Sequence, residues 1–206
     1  MALSSYLVYV VAVTLLILTP GPTMLMCMTN AINHGPRRAL TSVAGSVTAV
    51  LGVMVLSAMG LGALLAASES AFMIAKVLGA LYLMFLGIRT FRSGAVLRSA
   101  ATPVTPRRSF YLQGLMVGAS NPKSVLFFVA FFPQFLNPAA PMAPQFAILA
   151  ATFVGIEFIV MVPGAFGVAR LMPLLAASGP ARWINRICGG LFALMGGLLL
   201  LTRRGA

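Results

Sequence analysis

Six long apolar runs divide the chain, and short segments rich in proline, glycine, serine and charge separate them. The runs cover approximately residues 5–29, 40–67, 71–92, 111–135, 146–169 and 185–202. A helix needs about 20 mostly apolar residues to cross the hydrocarbon core of a bilayer, so each run predicts one transmembrane helix. The pattern therefore predicts an all-α integral membrane protein with six transmembrane helices in a single membrane domain over residues 1–206.

The composition agrees with this pattern, because 60% of the 206 residues are hydrophobic and only 8% are charged. A soluble domain has about a quarter of its residues charged. Residues 1–5 carry no positive charge, and the apolar run after them is longer than the hydrophobic region of a signal peptide. We therefore expect the first run to stay in the mature protein as a span.

The formal net charge of +12 at pH 7 has two interpretations. A nucleic-acid surface would need its cations on a soluble face, and the pattern leaves no soluble domain to carry one. The cations instead fall in the first, third and fifth loops, at Arg37, Arg38, Arg89, Arg92, Arg98, Arg107, Arg108, Arg170, Arg182 and Arg186. The second and fourth loops hold only Glu69, with Lys76 just inside the third span. Since cytoplasmic loops are rich in Lys and Arg, both termini are predicted to be periplasmic, and we expect no nucleic-acid partner.

The third and sixth spans resemble each other. "KVLGALYLMFLGI" at 76–88 aligns with "RICGGLFALMGGL" at 186–198, and Pro20 and Pro122 hold matching places in spans one and four. We interpret the chain as repeat one at 5–92, a cytoplasmic linker at 93–110 and repeat two at 111–202. Three spans per repeat would invert the second copy, and inverted repeats with broken helices, here 1 and 4, are typical of secondary transporters. The alternative is a chance likeness between two glycine-rich spans.

The prolines at the two breaks are the first candidate site. A proline inside a helix removes a hydrogen bond and costs about 3 kcal/mol, and it is tolerated at membrane depth where the freed groups face protein or a watery cavity. Freed amides suit a carboxylate, and freed carbonyls suit an ammonium group or a cation. A zwitterionic amino acid has both groups. The predicted substrate-binding residues are therefore Pro20, Gly21, Pro22, Asn121, Pro122 and Lys123.

Glu157 is the only acidic residue inside a predicted span. An acid near the bilayer centre costs about 2.5–3.5 kcal/mol, so such residues usually face the interior and have a function. A carboxyl group that takes up and releases a proton is what a proton-coupled antiporter requires. The alternative is a protonated glutamate that only hydrogen-bonds between helices.

Lys123 and Asn121 lie together at the break of the fourth span. Lys123 is suited to attract a carboxylate or to pair with Glu157, and the alternative is an ammonium group that extends to the cytoplasmic interface. Asn121 is suited to bind substrate through its amide, or simply to cap the second half of the helix.

Metal and enzyme chemistry are poorly supported by the residue types. Metal sites need clustered His, Cys, Asp or Glu, and the chain has one His, two Glu, and two separated cysteines, Cys27 and Cys188. A hydrolase needs a nucleophile with a base, or paired acids. We expect no catalytic residue, no metal site and no cofactor, and we predict a transporter rather than an enzyme. Export of a metal ion or another small metabolite, and an uncoupled channel, stay as alternatives.

Four segments in order resemble the lysine exporter (LysE/RhtB) family. They are "TPGPTMLMCMTNAINHGPRRALTSVAGSVTAVLGVMV", "NPKSVLFFVAFFPQFL", "IEFIVMV" and "RWINRICGGLFALMGGLLL", and together they extend over nearly the whole chain. Within the family the chain is most similar to the homoserine, homoserine lactone and threonine efflux branch. The resemblance implies proton-driven efflux of small amino acids or their derivatives across the bacterial inner membrane.

The family's motif positions correspond to Pro20, Gly21 and Pro22 in span one, and to Asn121, Pro122, Lys123 and Gln134 in and after span four. In homoserine and threonine exporters of this family an aspartate usually stands where this chain has Glu157. The acid is kept with one more methylene, so the resemblance still implies proton coupling, while the longer side chain bears on which substrate fits. The resemblance also implies a homo-oligomer, for example a dimer.

Overall fold

The computed structural model describes residues 3–67, 109–137, 139–167 and 178–201, with the helical positions 74, 77, 80, 81, 84, 85, 87–89, 91 and 92. Every α-helix and 3₁₀-helix named below lies in these residues, and no strand occurs among them. The elements are α1 Leu3–Leu18, α2 Pro22–His34, α3 Pro36–Ala67, α4 Phe110–Ser120, α5 Pro122–Ala130, a 3₁₀ segment Phe132–Phe135, α6 Met142–Phe166 and α7 Ser178–Leu201. The all-α prediction is confirmed for this part of the chain.

Among the residues that the structure describes, two helices are long and apolar enough to cross a membrane by themselves. They are the part of α3 from Pro36 to Gly60 and the whole of α6, each of 25 residues. The pair α1 and α2 meets the same test together and bends by 51° at the break between them. The break predicted at Pro20–Pro22 is therefore seen as a bend between two helices.

The fourth apolar run is also interrupted, since α4 and α5 are separated only by the extended residue Asn121. Pro122 is the first residue of α5, and Pro22 is the first residue of α2. Proline suits this position because the amide that it lacks would have no partner in the first turn. The structural counterpart of Pro122 is therefore Pro22, whereas the sequence comparison paired it with Pro20.

Several helices begin earlier than the hydrophobic pattern predicts. α6 starts at Met142, inside the predicted loop at 136–145, and α7 starts at Ser178, which brings Arg182 and Arg186 into a helix rather than a loop. Helical hydrogen bonds continue past the edge of the hydrocarbon core, where polar side chains also reach water. Other predictions lie outside the described residues: Glu69, Lys76, Arg98, Arg107, Arg108, Arg170 and the linker over 93–108.

α3 is the central helix of the described structure and packs against α2, α4, α5 and α6. Its contact with α4 is the closest. Gly114 and Gly118 of α4 lie directly against the backbone of Ser42 and Ser46, and Gly45 of α3 lies against the backbone of Tyr111. Small residues allow two helix backbones to approach in this way, and the approach brings the end of α4 at Ser120 beside the middle of α3.

The predicted third span contacts α7 through glycines. Gly87 lies against the backbone of Gly189 and Ala193, and Gly196 of α7 meets Ala80 and Met84. Gly87, late in the third span, contacts residues earlier in α7, whereas Ala80 and Met84, earlier in the same span, contact the later residue Gly196. The two segments therefore run antiparallel.

An aromatic cluster fills the space between α1, α5 and α6. Phe128 packs edge to face on Phe153 at 5.0 Å between ring centroids, and the ring of Tyr9 lies 5.1 Å from that of Phe135. The Tyr9 hydroxyl donates to the carbonyl of Leu149 at 2.9 Å. The start of α1 is thus held against the first half of α6.

At the opposite end of the structure, the end of α2 and the start of α3 contact the start of α4. The ring of His34 lies 5.1 Å from that of Phe110, and the Arg38 guanidinium stands 5.8 Å from the same ring. The basic start of α3 and the start of α4 therefore share one end of the bundle.

Candidate functional site

A small cavity lies where the two helix breaks meet α3 and α6. Its polar lining comes from Thr19, Thr23, Ser46, Asn121, Lys123, Ser124 and Glu157, and Gly21 contributes backbone. Apolar side chains, among them Phe153 and Met161, complete the wall. The space open to the centre of a water molecule is about 20 Å³, which holds about one water. This conformation is therefore too closed to hold an amino acid.

The ammonium group of Lys123 joins the two breaks. Its nitrogen lies 2.7 Å from the carbonyl oxygen of Leu16 and 2.7 Å from that of Thr19. The usual helical donor to the Leu16 carbonyl is the amide of residue 20, and Pro20 has none. Lys123 thus replaces a hydrogen bond that the proline removes. Its ammonium group binds backbone carbonyls of the first break. It does not extend to the cytoplasmic interface, which was the alternative considered for this residue.

Gly21 makes room for this ammonium group. A Cβ atom on Gly21 would stand 3.0 Å from the Lys123 nitrogen and 3.3 Å from its Cε atom. The backbone of Gly21 is extended, with φ of −157°, a conformation that any residue adopts. The need for glycine here is therefore one of space rather than of backbone geometry.

Asn121 caps α5 and links the breaks a second time. Its side-chain oxygen accepts from the amide of Lys123 at 3.2 Å, as an N-cap residue does. Its side-chain nitrogen donates to Thr23 at 3.3 Å and to Ser124 at 3.1 Å. The capping interpretation of Asn121 therefore describes its geometry, and its amide also reaches a hydroxyl on the other broken helix.

The amides in the first turn of α2 have fewer hydrogen-bond acceptors than those in the first turn of α5. Gly21 stands at its N-cap position and has no side chain to accept from the amides of the first turn. The first amides of a helix have no acceptor within it, and both Thr23 and Met24 line the cavity. This end of α2 therefore offers amide donors and a positive partial charge toward the cavity.

Glu157 faces the same cavity from α6 and is only 6% exposed. Its carboxyl group forms no hydrogen bond with any residue that the structure describes, so the interhelical hydrogen bond considered above is not seen there. Lys123 is close enough to interact with it electrostatically. The cavity thus contains one cation, whose ammonium group is bound to backbone carbonyls, and one acid without a hydrogen-bonding partner in the described chain.

The structure brings together four of the residues singled out in the sequence: Gly21, Asn121, Lys123 and Glu157 all line the cavity. The prolines have a different place. The residues that line the cavity do not include Pro20, Pro22, Pro122 or Gln134. The prolines shape the two breaks, and Gln134 lies in the 3₁₀ segment after α5.

The hydroxyl groups of the cavity were missed in the sequence. Thr23 and Ser46 approach each other at 3.3 Å between their hydroxyl oxygens, and Thr19 and Ser124 complete the set. A signal was available for the two threonines, since they flank the break in "TPGPT". Ser46 had none, because its role depends on the close approach of α3 to α4.

A buried polar cluster lies between the cavity and the end of the structure at His34. The side-chain amide of Asn30 donates to Ser42 at 3.0 Å and to the Gln113 side-chain oxygen at 3.0 Å. Asn30 is only 1% exposed, and the three residues join α2, α3 and α4. On the other side of the cavity, Phe153 leads into the aromatic cluster. Packed side chains of the described chain therefore lie on both sides of the cavity.

Comparison with known proteins places this chain in a transporter family. The family model described as LysE type translocator matches residues 14–203. The homoserine/homoserine lactone efflux protein of Salmonella typhimurium is 36% identical over 196 residues, which is 95% of each chain. The leucine efflux protein of Enterobacter sp. is 32% identical over 156 residues, which is 74% of each chain.

An uncharacterized membrane protein of Vibrio cholerae is 33% identical over 201 residues, or 97% of each chain. No solved structure matches the chain at a significant level. The family model extends over both helix breaks, the lysine between them and the acid of α6, and the resemblance inferred from the sequence motifs is confirmed. The chain belongs to the LysE type translocator family.

Proposed function

We propose that the protein is a secondary active transporter that exports small amino acids or derivatives of the threonine, homoserine and homoserine lactone type by proton antiport. The efflux proteins to which it is similar support this class of cargo. The observation that carries the proposal is the placement of Glu157. It is a buried acid without a hydrogen bond in the described chain, and it faces Lys123 in a cavity between two broken helices.

The two ends of an amino acid have matching partners in this cavity. The cargo's ammonium group binds the carboxylate of Glu157. Its carboxylate binds the third N–H of Lys123, since an ammonium has three donors and the Leu16 and Thr19 carbonyls take two. The free amides of Thr23 and Met24 at the start of α2 favour the same negative group.

Proton coupling follows from this pairing if Glu157 binds the cargo's ammonium group and a proton in turn. Glu157 holds the cargo's ammonium group on the outward journey and a proton on the return. With a zwitterion bound, the ionised carboxyl group balances the Lys123 ammonium. On the return the protonated carboxyl group is neutral, and the ammonium charge is met by the Leu16 and Thr19 carbonyls, which matters because an unmet charge is costly at membrane depth. The acid thus links export of one cargo molecule to entry of protons.

The cycle requires the cavity to open alternately to the two sides. In the proposed inner-membrane orientation, with both termini periplasmic, the cluster of Asn30, Ser42 and Gln113 closes the cytoplasmic side. The aromatic cluster closes the periplasmic side. The contact of His34 and Arg38 with Phe110 supports this orientation, because it brings the basic start of α3 beside the end of the third loop.

We also propose six spans in two inverted repeats, operating as a homo-oligomer such as a dimer in the lipid bilayer. The antiparallel contact of Gly87 with Gly189 supports the inversion, since spans three and six of two inverted copies run in opposite directions. The matching positions of Pro22 and Pro122 at the starts of α2 and α5 support it as well.

The alternatives have less to support them. In the part of the chain that the structure describes, no three His, Cys, Asp or Glu side chains come together, so a metal cargo has no site there to argue from. An uncoupled channel leaves Glu157 without a role.

The experiment is efflux from proteoliposomes preloaded with labelled threonine or homoserine, with and without an imposed pH gradient. Native protein, Glu157→Gln and Glu157→Asp are compared with empty liposomes. We expect native protein to release label faster with the gradient. Glu157→Gln should lose this dependence because an amide cannot exchange a proton at neutral pH, and Glu157→Asp should keep it because the carboxyl group remains.

Each of the other outcomes contradicts a defined part of the proposal. Equal gradient dependence in native protein and Glu157→Gln removes the proton role from Glu157. Efflux from native protein that ignores the gradient excludes proton antiport. Release no faster than from empty liposomes, for both amino acids, excludes this class of cargo.

A further inference from the structure

We infer that, among amino acids, Lys123 makes the cavity selective for those with no net charge, and that it excludes basic amino acids such as lysine and arginine. The inference rests on the proposed function, since it names the cargo class of the same site. It follows from what the Lys123 ammonium group binds and from the charges that the cavity contains.

The backbone acceptors of the first break are already bound by Lys123. A break in a membrane helix can bind a cation through its freed carbonyls, and the break between α1 and α2 presents two such oxygens, on Leu16 and Thr19. Both are taken by the Lys123 ammonium at 2.7 Å. A cationic side chain of the cargo would need these acceptors, and the protein's own lysine already occupies them.

The charges of the described cavity wall balance those of a zwitterion. The described cavity wall carries one positive group, Lys123, and one negative group, Glu157. A zwitterion adds one charge of each sign, and each finds an opposite partner. A basic amino acid adds a second positive charge with no second acid to meet it. Moving such an uncompensated charge through a closed, water-poor cavity is unfavourable.

The Lys123 nitrogen is packed against the backbone of the first break, since a Cβ atom at residue 21 would stand 3.0 Å from it. The amide of Lys123 is bound by Asn121 as well. Backbone and side chain are therefore both held in place, and a cationic cargo cannot displace the ammonium group without breaking two hydrogen bonds.

The test compares labelled homoserine, leucine and lysine in efflux from proteoliposomes that contain native protein, Lys123→Met or Arg182→Met. Methionine keeps an unbranched stem and removes the charge. Arg182 is exposed on α7, so its substitution removes one cation away from the cavity. The readout is the ratio of lysine efflux to the faster of the two neutral amino acids within the same preparation, which does not depend on how much protein is active.

We expect native protein and Arg182→Met to export lysine about 100-fold more slowly than the faster neutral amino acid, the ratio that an uncompensated charge at the bilayer centre would give. Lys123→Met should raise the ratio at least tenfold. Native protein that exports lysine as fast as the neutral amino acids would contradict the inference and leave the proposed function in place. Native protein that moves none of the three would overturn the proposed function, and the inference with it.

If Lys123→Met transports nothing, a binding measurement tests the selectivity of Lys123 instead. Ligands that bind the folded state raise the unfolding temperature, so thermal unfolding is followed in detergent with lysine, homoserine or leucine added. We expect lysine to stabilise Lys123→Met and to leave native protein unchanged. The selectivity role is overturned if lysine does not stabilise Lys123→Met. It is also overturned if Lys123→Met is unfolded while Lys123→Arg is folded and is stabilised by lysine.

Discussion

The ammonium nitrogen of Lys123 lies 2.7 Å from the carbonyl oxygen of Leu16, 107 positions away in the chain. That oxygen lacks its usual helical donor because residue 20 is proline. One broken helix thus completes the hydrogen bonding of the other, and the two breaks form one structural unit. The unit explains why the cost of an intramembrane proline, about 3 kcal/mol, is tolerated here.

Replacing Pro20 by alanine tests this relationship. The new amide can donate to the Leu16 carbonyl and continue α1, so it competes with the Lys123 ammonium. We expect transport to fall at least tenfold, which corresponds to about 1.4 kcal/mol, while the unfolding temperature stays equal or rises. Efflux of labelled homoserine and thermal unfolding in detergent measure the two effects.

Pro36→Ala is the matched control for that substitution. Pro36 is the first residue of α3, where a missing amide has no consequence for the helix, and we expect little change in either measurement. If Pro20→Ala and Pro36→Ala transport equally well, the pairing of Lys123 with the freed carbonyl has no part in transport.

Gly21→Ala tests the space beside the ammonium group. The added methyl would stand 3.0 Å from the Lys123 nitrogen, and since that nitrogen ends a flexible side chain, it can move away and lose its bonds to Leu16 and Thr19. We expect impaired transport with little loss of stability. The control is Gly155→Ala in α6, because a Cβ atom there meets nothing within 4 Å. Normal efflux from Gly21→Ala would show that the ammonium position tolerates displacement.

The sequence was sufficient for the helical class, for the two breaks and for the residues that carry charge. Prolines and isolated charges in apolar runs have few local explanations, so Pro20, Lys123 and Glu157 stand out by themselves. The juxtaposition of Lys123 with the first break did not follow from the same reasoning, although a pairing of Lys123 with Glu157 was one of the interpretations of the sequence. It depends on how α5 and α6 pack around α3, and the patterns of single segments contain no information about such contacts between distant segments.

Backbone acceptors and helix ends were predicted less well from the sequence. The partners of Lys123 are the carbonyls of Leu16 and Thr19, and a carbonyl leaves no mark in the residue type. The early start of α7 at Ser178 was missed for another reason. Hydropathy reports where the hydrocarbon core ends, whereas the helix continues for as long as its backbone hydrogen bonds are favourable.

The close approach of α3 and α4 predicts a large effect for Gly114→Ala. The added methyl would meet the backbone of Ser42 directly, and a backbone cannot move aside as a side chain can. Overpacking of this kind typically costs about 1–3 kcal/mol, so we expect a lower unfolding temperature and less folded protein. Gly52→Ala in α3 is the control, because a Cβ atom there meets nothing within 4 Å. Equal stability of the two variants would mean that the helices separate at no cost.

The buried side-chain amide of Asn30 donates two hydrogen bonds, and we expect the loss of both to lower the stability of the protein. Asn30→Ala leaves Ser42 and Gln113 without the donor that each has at 3.0 Å. Losing a partner for a buried polar group costs about 1–3 kcal/mol, so thermal unfolding in detergent should occur at a lower temperature. Asn30→Asp should be no better, since a carboxylate has no hydrogen to donate.

The exposed residue Asn33, one turn further along α2, supplies the control, and Asn33→Ala should unfold like native protein. If Asn30→Ala is as stable as Asn33→Ala, the polar cluster contributes nothing to closing the structure between α2, α3 and α4. If Asn30→Ala is less stable but Asn30→Asp is not, the cluster tolerates an acceptor at residue 30, and the donor role assigned to its amide is wrong.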